Sequence, residues 1–206
     1  MTDFDKILRG LPSATRPAER IVTEAELAAK AKAMALRGYV HSRETLAALD
    51  AYLRGYGILL SGAVGIGKTL FFKTVNPEPI AILSFNTCHL WKYDQLDEFL
   101  RETRGEELVL DDIGWQTEAN SYGTRYEALQ VALDYRINAS SARTHATTNC
   151  TNDELIDRFD GHLVDRLYEC CQCFKLPPAQ SRREAKPNIN FIRNIAYEKQ
   201  IGKEVL

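Results

Sequence analysis

Eight consecutive residues carry the clearest chemistry in this chain: Gly62-Ala63-Val64-Gly65-Ile66-Gly67-Lys68-Thr69. They fill the spacing G-x-x-x-x-G-K-[ST] at every position. Glycines at these places let the backbone curl so that successive N–H groups face phosphate oxygens. The helix expected to follow adds the positive end of its dipole. The Lys68 ammonium is placed to meet β- and γ-phosphates, and the Thr69 hydroxyl to ligate Mg²⁺. The binding run extends from Gly62 through Leu70.

Three more groups follow in order. Leu108-Val109-Leu110-Asp111-Asp112 is a short apolar run tipped with acids. Asp111 there could hold Mg²⁺, usually through water, and Asp112 could polarise an attacking water. Thr147-Thr148-Asn149 puts an amide after another apolar-to-polar run. Asn149 could reach a γ-phosphate and its water, or could cap a helix, as could Thr151 and Asn152. Asp165-Arg166 offers a guanidinium for phosphoryl-transfer charge, which a neighbouring subunit can supply, or a surface ion pair.

These residues need elements that hold them. Ile58–Leu60, Ile80–Phe85, Leu108–Leu110, Thr144–Thr148 and Cys170–Leu176 read as short buried strands. Helices are expected from Thr23, where T-x-x-E forms a capping box, to about Met34, and over Arg43–Arg54, ending at Gly55. Others are expected over Lys68–Thr74, Asp94–Thr103, Arg125–Ala139 with Tyr126, Leu129, Leu133 and Ile137 on one face, Asp153–Tyr168 and Asn188–Gln200. Strands alternating with helices predict an α/β fold with a mainly parallel five-stranded sheet, whose ligands sit at the carboxyl ends of the strands. Residues 1–55 read as an N-terminal extension with two helices, 56–178 as the nucleotide-binding core, and 179–206 as a tail with a helix. No full helical lid domain is evident in that tail. Ser181-Arg182-Arg183 reads as a phosphate sensor or a solvated basic turn.

The 206 residues suffice for one ordinary domain, and the formal net charge of -2 demands neither a nucleic-acid nor a membrane partner. There is no signal-like apolar run at the start, and nothing approaches the roughly 18 apolar residues that would span a bilayer. A cytoplasmic protein is expected. The five cysteines are odd in number, and Cys170, Cys171 and Cys173 are crowded, which argues against a disulfide framework. They read as thiols on a buried strand, with a metal site as the alternative.

Taken in series, Gly62–Thr69, Leu108–Gly114, His145–Asn149 and Leu163–Leu167 resemble the AAA+ ATPases of the DnaC/IstB type, the helicase loaders and transposition ATPases. The likeness covers roughly Tyr56–Leu176. It implies an AAA+ P-loop NTPase core with ATP and Mg²⁺ as ligands. Lys68 and Thr69 then belong to Walker A, Asp111 and Asp112 to Walker B, Asn149 to sensor 1. Arg166, 17 residues beyond Asn149, is implied to be the arginine finger. ATP is implied over GTP by the family, since no N-K-x-D-like guanine-reading motif is present. A finger that serves the neighbour's site implies an ATP-dependent homo-oligomer of the head-to-tail kind.

The sequence also departs from the family. Lys68 and Asp111 lie 43 residues apart, and the interval holds one strand and one helix, without the helical insertion that loaders and initiators carry. Three functions are therefore expected to compete. The first is an ATPase acting as a replicative helicase loader or DNA-replication accessory, with a replicative helicase as partner and single- or double-stranded DNA as a further one. The second is an IstB-like transposition or mobile-element ATPase with salt-sensitive duplex binding. The third is a nucleotide-gated interaction protein with little turnover.

Overall fold

The structure, a computed structural model, describes residues 20–114, 118–121, 124–140, 142–159 and 161–178. The expected helix over 188–200 and Arg182 and Arg183 lie outside them.

The chain enters through two capped helices. The Thr23 hydroxyl accepts the Glu26 amide at 3.2 Å and starts α1 (Glu24–Leu36), while the Glu26 carboxylate pairs with Arg20. Ser42 and Thr45 cap α2 (Arg43–Leu53) reciprocally. Gly38 and Gly55, at φ 86° and 98°, end the two helices in a conformation that favours glycine. Then follow β1 (Ile58–Ser61), α3 (Lys68–Val75), β2 (Ala81–Ser84), a 3-10 turn (Phe85–Leu90), α4 (Tyr93–Glu102) and β3 (Leu108–Ile113). A hairpin of β4 (Glu118–Ser121) and β5 (Thr124–Glu127) leads into α5 (Ala128–Ala139). The described chain closes with β6 (Thr144–Thr148), α6 (Asn152–Arg158), α7 (Gly161–Cys170) and β7 (Gln172–Lys175).

The five expected strands form one sheet, ordered β2-β3-β6-β1-β7, with every pair parallel. Because side chains alternate, each central strand feeds two cores. Leu59, Leu108, Leu110 and Ala146 pack on one side with α4, α5 and α7. Ile58, Leu60 and Val109 pack on the other with Met34 of α1, Leu49 and Tyr52 of α2, and Phe71 and Phe72 of α3. The two N-terminal helices therefore share a core with the helix that follows the glycine loop. Phe71 and Phe72 are buried completely or nearly so, each contributing roughly 2–3 kcal/mol. They tie the loop's helix to the sheet.

Three local expectations need correction. The helix expected from Arg125 starts at Ala128, with Glu127 as its cap, accepting the Leu129 amide at 3.3 Å. Residues 118–127 instead pair as the antiparallel hairpin, Glu118 opposite Glu127 and Ser121 opposite Thr124. The helix expected over 153–168 is two, because Phe159 is extended (φ -110°, ψ 154°) and ends α6 before α7 starts at Gly161. Cys170 belongs to α7, so the last strand is shorter than Cys170–Leu176.

Candidate functional site

The glycine loop leaves the carboxyl end of β1 and returns as α3. Gly62, Gly65 and Gly67 sit at φ 143°, 83° and 102°, which L side chains rarely adopt. A Cβ on Gly62 would lie 2.7 Å from Ile66 Cδ1 and 3.1 Å from the Leu176 carbonyl. Ile66 and Leu176 lie in the second core and anchor the loop, Leu70 packs against that core, and Val64 is exposed at the tip. No side chain caps α3 at Gly67. A helix start of this kind can present its first amides to an anion.

Lys68 is 5% exposed, so its ammonium depends on protein partners. It donates to the Gly62 carbonyl at 2.7 Å, the Ala63 carbonyl at 2.9 Å and Asn149 Oδ1 at 2.7 Å. The loop is thus folded around its own lysine.

The two acids come from an irregularity in β3. Leu110 pairs with Ala146, but Ile113 pairs with Thr148. Asp111 and Asp112 therefore oppose the single residue Thr147, a bulge in a parallel pair. Asp112 takes φ 58°, the one non-glycine residue with positive φ among those described. In a regular strand successive side chains point to opposite faces. The bulge brings both carboxylates to one site. Asp111 Oδ1 accepts from Thr69 Oγ1 at 2.8 Å and from Thr147 Oγ1 at 2.7 Å. Asp112 Oδ1 lies 3.4 Å from Asn149 Nδ2, and its Oδ2 accepts from Asn86 Nδ2 at 2.6 Å.

Asn149 thus joins Lys68 to Asp112. The cap of α6 is Thr151, whose hydroxyl accepts the Glu154 amide at 3.3 Å, so Asn149 is not needed there. Arg166 is not brought to this cluster. It lies on α7, 3.8 Å from Asp134 and 3.8 Å from Glu169.

Asn86 carries no signal in the sequence, and Thr147 stands there only as part of the Thr147-Thr148-Asn149 run, without a role of its own. Asn86 arrives because β2 pairs with β3, with Ser84 beside Asp111. Below the acids, Thr148 Oγ1 donates to the Ile113 carbonyl at 2.7 Å, and Arg158 donates to the Gly114 carbonyl at 2.8 Å. A Cβ on Gly114 would lie 2.6 Å from Cys150 Sγ. The exit of β3 is therefore held from both sides. The crowded cysteines take no part. Burial pushes the Cys170 thiol up to about 12 and Cys171 well above the ordinary value, and Cys171 Sγ donates to the Thr144 carbonyl at 3.3 Å. Among the described residues no group of three or more His, Cys, Asp or Glu could hold a metal.

No family model matches this sequence, and no curated protein matches it. Among solved structures, AMPPCP-bound DnaA from Aquifex aeolicus superposes with a TM-score of 0.51 at 16% identity, over 72% of this chain and 51% of that one. The two share a fold, a parallel five-stranded sheet flanked by helices. A protein described as a primosome component from Streptococcus pyogenes serotype M3 and the DnaC helicase loader also match. Each is 19% identical at a TM-score of 0.47, covering 84% and 77% of this chain and 93% of theirs. Among the described residues, no helix is long and apolar enough to cross a membrane.

Proposed function

We propose that this AAA+ core binds ATP with Mg²⁺ and hydrolyses it, as a replicative helicase loader or DNA-replication accessory ATPase. The observation that carries the reading is the continuous bonding of Lys68, Asn149 and Asp112 beside the Thr69–Asp111 pair, at the carboxyl end of a parallel sheet. The loop amides and Lys68 bind the β- and γ-phosphates, the lysine exchanging its loop carbonyls for phosphate oxygens.

Two hard oxygens, the Thr69 hydroxyl and the Asp111 carboxylate, lie 2.8 Å apart beside the loop. That donor set suits Mg²⁺ held mainly by phosphates and water. The ion supplies charge neutralisation on the phosphates when bound. Asp112 accepts a hydrogen bond from the attacking water, and Asn149 orients the γ-phosphate side of that water. Water oxygen bonds to the γ-phosphorus as its proton passes to the Asp112 carboxylate, the bond to the β–γ bridging oxygen breaks, and ADP and inorganic phosphate leave.

Arg166 is assigned to the neighbouring subunit's site, which explains its distance from its own and makes hydrolysis depend on self-association. The test is affinity purification from the native host with ATP present. Asp112→Asn, which binds ATP but stalls before hydrolysis, retains a replicative helicase, and Lys68→Ala does not. Recovery of a transposase, or of another protein without the helicase, overturns the loader assignment.

One feature favours a second reading, a nucleotide-gated interaction protein with little turnover. Between α3 and β3 the chain holds only β2, the 3-10 turn and α4. That reading predicts ATP binding with negligible hydrolysis at high protein concentration or with DNA.

A further inference from the structure

Thr147 lies opposite the bulge in β3 and is fully buried, so water cannot stand in for its hydroxyl. That one oxygen makes two bonds at once. It accepts the Asp112 amide at 2.9 Å and donates to Asp111 Oδ1 at 2.7 Å. The first bond satisfies the backbone of the residue at φ 58°, a conformation unfavourable for a residue with a side chain. The second fixes the carboxylate that Thr69 also touches.

Without the bulge, Asp111 and Asp112 would face opposite sides of the sheet. Its neighbours in β6 cannot substitute. Ala146 has no polar side chain, and the Thr148 hydroxyl is engaged with the Ile113 carbonyl and the Cys150 amide.

We propose that Thr147 is the positioning residue for both acids: its hydroxyl holds the bulge, and so aims Asp111 at the metal and Asp112 at the water. This rests on the Mg-ATP reading above. The requirement is for a hydroxyl, so serine meets it and valine, of the same shape, does not.

The test uses the full chain with Thr147→Val and Thr147→Ser, and Thr147→Ala if the valine form does not fold. Amide exchange at Asp112, measured without nucleotide or metal, is slow in the wild type and the serine form and at least about tenfold faster in the valine form, the worth of one hydrogen bond to a charge-bearing cluster. Binding of a fluorescent ATP analogue without Mg²⁺ stays within about twofold across the set, while the Mg²⁺ concentration for half-maximal enhancement rises about tenfold in the valine form and returns with serine. Equal Asp112 exchange in the wild type and valine forms overturns the proposal, as does equal Mg²⁺ dependence or a serine form that behaves like valine. If the wild type shows no Mg²⁺-dependent binding, the Mg-ATP reading fails instead, and exchange at Asp112 still decides whether Thr147 holds the bulge.

Discussion

The two ends of the same sheet carry buried charge in opposite styles. At the amino end, Arg136 is 3% exposed. Its guanidinium donates to the carbonyls of Thr103, Glu106, Ala142 and Arg143 and to Thr144 Oγ1, at 2.9–3.1 Å. Beside it, Tyr52 donates to Glu107 Oε2 at 2.6 Å and accepts from Asn76 at 2.7 Å. Arg143 pairs with Glu107 and lies 4.3 Å over the Tyr52 ring. The Ile58 amide donates to His145 Nδ1 at 3.1 Å, which puts the ring proton on Nε2, 3.6 Å from Glu107. Around Arg136 the partners are backbone carbonyls and one hydroxyl, and around Glu107 they are Tyr52, Arg143 and His145, all set when the chain folds.

At the carboxyl end the partners are exchangeable. Lys68 holds loop carbonyls and an amide, and Asp111 shares one oxygen between two hydroxyls. A site must give up its internal bonds to a ligand, whereas a clamp must not. The amino end is a clamp that joins α2, the end of α3, β3 and β6, and the carboxyl end is the proposed site.

The comparison breaks if the two ends respond alike to substitution. The largest effect is expected at Lys68→Ala. ATP affinity falls by about 100-fold or more, roughly 3 kcal/mol, with the thermal midpoint in the absence of ligand little changed. Equilibrium binding and calorimetric melting read the two. Arg136→Met should do the reverse. It leaves buried carbonyls without donors and lowers unfolding free energy by about 3 kcal/mol in denaturant titration, while ATP affinity of the folded fraction is unchanged.

Glu107→Gln sharpens the contrast through pH. Burial acts to raise the Glu107 pKa, and it is outweighed by His145, Tyr52 and Arg143, which hold it down at about 2. A depressed carboxyl contributes stability that is present above its ordinary 4.5 and is lost as pH falls through about 2. Burial lowers the His145 pKa, so below its ordinary 6.5 the unfolded chain takes up a proton that the fold refuses, and stability falls there too. Thermal midpoints should therefore drop on acidification in two stages. Glu107→Gln should flatten the lower one and cost about 2 kcal/mol at neutral pH. The smallest effect is expected at Asn86→Ala, where an exposed bond to Asp112 is lost. Steady-state turnover should change by about fivefold or less, roughly 1 kcal/mol, with ATP affinity unchanged.

Much of the carboxyl end was legible in the sequence: the glycine loop through local backbone demands, and Asp111, Asp112 and Asn149 through their place at the ends of strand-like runs. Glycines at 62, 65 and 67 are dictated by positive φ, so the loop can be read in one dimension. β1, β2 and β3 were legible as short apolar runs, whereas β6 (Thr144–Thr148) and β7 (Gln172–Lys175) were legible from their place in the alternation of strands and helices. Thr147 was not legible, because threonine in a strand reads as β-propensity, and only the register of β3 against β6 turns it into a bridge. Asn86 sits 26 residues before Asp112 and meets it through strand pairing alone. The hairpin was hidden because Tyr126 falls on the helical spacing of Leu129 and Leu133. Nothing local in the sequence marks Arg136 as buried or Glu107 as paired.

The central claim, that the carboxyl end of the sheet is a nucleotide-phosphate site, is tested most directly by isothermal titration of the full chain with ATP, with and without Mg²⁺, and with adenosine. The account predicts one ATP site per chain, tightened by Mg²⁺, lost in Lys68→Ala, and bound far more weakly by adenosine, which has no phosphates. Adenosine binding as tight as ATP, or an ATP affinity untouched by Lys68→Ala, would contradict it.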